Sequence, residues 1–167
     1  EMFQDQVFCF TPKGDIINLP LGATAVDFAY AVHTEIGDRC VGAKINGRIV
    51  PLDAQLENGD QVDIITSKAQ TPSPTWERFI VTGKARARIR RFVHAQERDE
   101  YVKLGRAILE RSYAGEGYEF TEKTLESILT TFKADSVDDI FQSVGNGNLS
   151  GREILEAVFP GLKPEAK

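Results

Sequence analysis

Cysteine is nearly missing: Cys9 and Cys40 are the only two in 167 residues. They form no Cys-x-x-Cys pair and no ligand cluster, so neither a disulfide framework nor a zinc site is expected. Reduced thiols inside apparent strands suit a cytoplasmic protein. Histidine is as scarce, with His33 and His94, and His94 is followed by Ala95, which excludes an adjacent His-Asp metal pair. No apolar run approaches the roughly 18 residues of a bilayer span, and no export signal is visible. The phosphate-loop pattern GxxxxGKS, HExxH and GxSxG are all absent. Carboxylates are scattered where turns and helix starts use them. The expectation is a globular stretch with no catalysis of its own, no metal and no cofactor.

A net charge of −5 conceals a local excess of the opposite sign. Residues 82–112 carry 9 basic and 4 acidic side chains, whereas residues 1–70 carry 5 and 10. The overall acidity therefore does not exclude a polyanionic partner.

The first part reads as β with one helix. "VFCF", the turn "TPKGD" and "IINL" predict a hairpin. Thr24 and Asp27 open a helix whose buried stripe is Ala25, Phe28, Ala29, Val32 and Ile36, ending near Gly37. "CVGAKI", Asn46-Gly47 and "RIV" predict a second hairpin, and "QVDIIT" a last strand. Hairpin, helix, hairpin and strand in about 60 residues fit a β-grasp (ubiquitin-like) domain over residues 1–68. Its expected core is Phe8, Phe10, Phe28, Val32, Ile45, Val62 and Ile64. The fold class is thus α+β, a β-grasp domain followed by an all-α one.

Residues 69–76, with two prolines in "TPSP", read as a linker, and residues 77–167 as a helical domain. "WERFIV" is apolar enough to dock. "KARARIRRFV" places Ala85, Ile89, Phe92 and Val93 on one side, and the helix runs on through "RDEYVKLGRAILERSY" to the breaker "AGEGYEF". "TEKTLESILTTF", "SVDDIFQSV" and "SGREILEAVF" predict three shorter helices, the last two opened by the boxes Ser136/Asp139 and Ser150/Glu153. The tail "GLKPEAK" lacks the Gly-Gly end of a ubiquitin-like modifier.

Two groups of residues are candidates for binding. Val26, Tyr30 and His33 fall on a second face of the first helix. An imidazole there can stack on a base and donate a hydrogen bond; equally, His33 can be a surface cap and Tyr30 a cover for the sheet edge. Lys84, Arg88 and Arg91 form one stripe of the basic helix, with Arg86 and Arg90 beside it. These five cations repel one another, and no acid stands in their window. RNA phosphate, an acidic protein, or carboxylates of this same chain (Asp60, Asp63 or the acidic stretch after 113) would each relieve them. Lys13, Arg39, Lys44 and Arg48 can add phosphate contacts collectively.

The stretch "VFCFTPKGDIINLPLGATAVDFAYAVHTEIGDRCVGAKINGRIVPLDAQLENGDQVDIITSK", followed by "PSPTWERFIVTGKARARIRRFVHAQERDEYVKLGRAILE", resembles the TGS domain and the helical region after it in the RelA/SpoT-homologue family. These bacterial enzymes make and degrade the alarmone (p)ppGpp. TGS domains also occur in threonyl-tRNA synthetases and some GTPases, but the basic helical extension points to the stringent-response proteins. Gly37-Asp38-Arg39-Cys40 suggests a bifunctional member.

The resemblance implies a regulatory stretch signalling to catalytic domains upstream of it. It implies two kinds of partner: the CCA end of deacylated tRNA on the ribosome, or acyl carrier protein. The segment Ala29-Tyr30-x-x-His33 aligns with the TGS histidine implicated in CCA contact. Many members carry histidine where this chain has Asp38, which removes a stacking or phosphate-facing group and adds negative charge.

Overall fold

The computed structural model describes residues 5–162. The first four residues, and Lys163 to Lys167 of the "GLKPEAK" tail, lie outside the described residues. The chain divides into two compact units, one ending at His94 and the other beginning at Ala95.

The first unit holds β1 (Gln6–Phe10), β2 (Ile16–Pro20), α1 (Ala25–Val32), α2 (Thr34–Arg39), β3 (Cys40–Ile45), β4 (Arg48–Val50) and β5 (Val62–Thr66). β1 pairs antiparallel with β2, and β3 lies between β4 and β5, antiparallel to both. A parallel bridge between Phe10 and Gln61 joins the two groups of strands. This is the β-grasp order. Asn46, at φ 53°, and Gly47, at φ 85°, supply the two left-handed positions of the β3–β4 turn.

The core under α1 consists of Val7, Cys9, Leu19, Ala23, Ala25, Phe28, Ala43, Leu56 and Val62. Phe28 and Val62 take their expected places, with Val32, Ile45 and Ile64 packed at the margin. Phe8 does not: it is 47% exposed, and Val7 and Cys9 point inward instead. Four consecutive apolar residues fit either parity of a strand, and a one-residue shift exchanges the faces.

Two further departures matter for the site. The single helix expected up to Gly37 is broken at His33, whose φ of −166° and ψ of 143° are extended. And the second face of α1 is not solvent-facing. Val26, Ala29 and Tyr30 are buried with Cys40, Trp76, Ile80, Ala85 and Ile89 in a second cluster. The segment read as a linker therefore leads into a docked 3-10 turn at Pro74–Arg78. The start of α3 (Gly83–Gly115) packs on the β-grasp as well, so this compact unit runs on to His94.

The second unit holds the rest of α3 with α4 (Glu122–Glu126), α5 (Val137–Gly145) and α6 (Gly151–Val158). Leu109, Tyr113, Leu125, Ile140, Phe141, Ile154 and Leu155 are its core. α4 is shorter than the periodicity of 121–132 predicts, giving way to turns after Glu126. The Ser150/Glu153 box closes in both directions. The Ser136 hydroxyl accepts from the Asp139 N–H, but the Asp139 carboxylate turns to the Asp135 N–H and Arg98. Among the described residues no helix is long and apolar enough to cross a membrane.

Candidate nucleic-acid interface

Asp27 explains why the basic start of α3 is held against the β-grasp. This carboxylate is fully buried. Oδ2 accepts the Thr24 N–H at 2.9 Å in the first turn of α1. Across the fold the same carboxylate accepts the Thr82 N–H at 3.0 Å, the Thr82 hydroxyl at 2.8 Å and the Val81 N–H. The orphan N–H groups at the start of α3 and a helix-capping carboxylate thus satisfy each other. Thr82 in turn accepts the Ala85 N–H, setting the phase of the basic helix.

That phase puts Ala85 and Ile89 in the buried cluster and aims the cations to two sides. On one side Arg90 pairs with Glu77 at 2.6 Å, and Arg86 donates to the Ile80 carbonyl. On the other, Arg88 donates through Nε and Nη2 to Asp38 Oδ2, at 3.3 and 3.1 Å. Lys84 and Arg91 are exposed, and among the described residues they have no ion pair. Among the described residues, the carboxylates that meet these five cations are thus Asp38 and Glu77. Asp60 is occupied in its own turn by the Asn46 amide and the Glu57 N–H.

Asp38 is held from its other side. Its Oδ1 accepts the Tyr30 hydroxyl at 2.9 Å. Burial, then the bond to Asp38, pushes the Tyr30 pKa far above the usual tyrosine range, so the phenol stays a neutral donor. Gly37 makes room for the ring: a Cβ there would overlap Tyr30. The expectation of an outward-facing Tyr30 is therefore corrected. Trp76, Ile80, Ala85 and Ile89 cover it, and its part in the site is to position Asp38.

His33 is exposed, and its Nδ1 accepts the Glu35 N–H at 3.0 Å, capping α2. With Nδ1 an acceptor, the proton of the neutral ring sits on Nε2, which remains a donor. The imidazole lines an open cleft of about 500 Å³ together with Thr34, Glu35, Asp38, Arg39, Lys68, Gln70, Thr71, Pro72, Arg88 and Phe92. A smaller cavity of about 230 Å³ continues past Thr34 and Arg88 to Lys84, Ala87 and Arg91. Arg39 is steadied by a 2.8 Å bond to the Lys68 carbonyl and a longer contact with Glu35.

The structure thus brings His33, Arg39, Lys84, Arg88 and Arg91 to one surface. It leaves out Arg86 and Arg90, on the other flank, and Lys44 and Arg48. Lys44 is exposed on β3, and Arg48 borders a separate polar hollow with Asn46, Glu57 and Asp60. Lys68 and Phe92 were not singled out from sequence. Lys68 carries no local signal beyond standing just after the last strand. Phe92, on the apolar side of the basic helix with Ala85 and Ile89, is half-buried and borders the cleft.

Comparison with known proteins identifies both parts of the chain. Residues 7–66 match the TGS domain, and residues 92–159 match the RelA/SpoT AH domain. The GTP pyrophosphokinase rsh of Brucella ovis is 54% identical over 96% of this chain and 21% of its own length. A guanosine-3′,5′-bis(diphosphate) 3′-pyrophosphohydrolase of Aquifex aeolicus is 41% identical over 98% of this chain and 23% of its own. A GTP pyrophosphokinase of Myxococcus xanthus is 40% identical over 99% and 22%. The chain spans about a fifth of the length of these curated relatives. With both domain models matched and these identities sustained along nearly all of its length, the chain belongs to the RelA/SpoT-homologue family, and it carries the TGS and AH domains.

Proposed function

We propose that this chain is the regulatory part of a longer bifunctional enzyme that makes and degrades (p)ppGpp. In this reading it senses amino-acid starvation by binding the CCA end of deacylated tRNA on the ribosome. The supporting observation is the joint placement of His33, Arg39, Lys68, Arg88 and Phe92 around one open cleft, continued by Lys84 and Arg91. Single-stranded RNA ends are held by that mixture of cations for the backbone and flat rings for the bases. The His33 Nε2–H supplies a directional donor for a base edge or a phosphate. Binding would shift the catalytic domains only through a different affinity for their two states.

A second reading, docking of acyl carrier protein, is favoured by the exposed Lys84 and Arg91, which have no ion pair among the described residues and suit an acidic helix equally well. The test is a titration of the chain with deacylated tRNA, aminoacyl-tRNA and acyl carrier protein at two salt concentrations. Preference for deacylated tRNA, lost on Lys84→Glu/Arg91→Glu and on His33→Ala, is the expected result. Carrier-protein binding that is lost on the double charge reversal, with tRNA ignored throughout, would establish the second reading in its place.

A further inference from the structure

Asp38 stands in the cleft wall, bonded to Arg88. We infer that Asp38 holds the place of a ligand phosphate at Arg88, so that RNA binds by taking the guanidinium away from this internal carboxylate. The inference rests on the nucleic-acid reading above and names a regulation of that same site.

Both donors of Arg88 converge on a single oxygen, Asp38 Oδ2. A guanidinium is a fork that matches two acceptor oxygens. A phosphodiester offers two, so the present partner leaves half of the fork's capacity unused. The two members of the pair differ in freedom. Asp38 is fixed by the buried Tyr30 hydroxyl and by the Gly37 backbone packed on that ring. Arg88 is the longer side chain and keeps 38% of its surface exposed. It can swing into the cleft while Asp38 stays. With its arginine open to solvent on the cleft side, the pair is held weakly enough to be exchanged. Asp38 also stands inside the cleft wall, where its charge opposes an incoming phosphate until Arg88 is committed to it.

Asp38→Asn isolates this role. The amide oxygen still accepts from Tyr30, so the fold keeps its hydrogen bond, while the competing charge is gone. Binding of deacylated tRNA to wild type, Asp38→Asn, Arg88→Gln and the double variant is measured across a salt series, with Trp76 fluorescence checking the fold. Asp38→Asn should bind about 2- to 5-fold tighter, on the scale of a partly exposed ion pair. Its plot of log affinity against log salt should keep the wild-type slope, because Arg88 meets the same phosphate in both complexes, while Arg88→Gln should flatten it by about 0.7 to 0.9. The gain in affinity should vanish when Arg88→Gln is added. Equal affinity in wild type and Asp38→Asn would overturn the inference and leave the RNA reading standing. So would a gain that survives Arg88→Gln. Absence of tRNA binding in wild type and Asp38→Asn alike would defeat both.

Discussion

The Asp27 carboxylate and the Thr82 hydroxyl, 55 residues apart in sequence, meet at 2.8 Å in the interior of the first unit. This contact makes residues 74–94 part of the β-grasp unit. Asp27→Ala would leave the N–H groups of Thr24, Val81 and Thr82 without their acceptor. Each hydrogen bond to a charged group is worth about 1.5–3 kcal/mol, so a loss of at least 3 kcal/mol is expected. Trp76, the single tryptophan, sits in the cluster that Asp27 pins down. Urea unfolding followed by its fluorescence measures the effect directly. A midpoint within error of wild type would show that the carboxylate does not hold this segment.

The second unit depends on an unusually close approach of two helices. A Cβ on Gly105 would overlap the Phe141 carbonyl, and one on Gly145 would overlap the Tyr101 carbonyl. Both obstacles are backbone, which cannot rotate aside as a side chain can. Gly105→Ala and Gly145→Ala should each force α3 and α5 apart, at a cost of about 3 kcal/mol or more, the upper range for overpacking. Faster amide hydrogen exchange over residues 137–158 is the readout, with Gly115→Ala, which meets nothing, as the control.

Alkaline pH should destabilise the first unit. Burial pushes the Cys9 thiol up to about 11 and the Cys40 thiol up to about 12. An exposed thiol titrates near 8.5. Folded-state values above the unfolded ones mean that the native chain keeps protons the unfolded chain gives up. The stabilisation is complete below about pH 8.5 and is lost as pH rises toward 11–12. Tyr30, raised in the same direction, adds to the decline above about pH 10. Urea midpoints between pH 7 and 11 should therefore fall, and Cys9→Ala should flatten the early part of the slope.

Punctuation in the sequence accounts for most of what was legible. Asn46-Gly47, Thr24/Asp27 and Ser150/Glu153 carry local chemistry that sets turns and helix starts wherever they occur, and the structure uses all three. What failed depends on partners distant in the chain. Val26 and Tyr30 look like an outer helix face until Trp76 and Ile80 cover them. The break at His33 is invisible to periodicity, because Ala31 to Ile36 contain no glycine or proline to announce it. In the site, the cationic stripe and His33 were readable as charge and as ring. That Arg88 would be held by Asp38 was not, because a pairing across 50 residues leaves no mark on either neighbourhood.

His33 carries two duties, and one substitution separates them. Its Nδ1 caps α2, and its Nε2–H faces no partner among the described residues. His33→Ala removes both functions, so it should cost about 1 kcal/mol of stability, the usual worth of an N-cap, and weaken RNA binding as well. His33→Asn keeps a capping oxygen, since asparagine is among the best N-cap residues, but it removes the ring and its donor. The Asn variant should therefore unfold within about 0.5 kcal/mol of wild type while binding deacylated tRNA as poorly as the Ala variant. Paired urea and tRNA titrations on the two variants decide the matter. If Asn restores tRNA affinity together with stability, the imidazole serves the helix alone, and the RNA contact belongs to the cations around it.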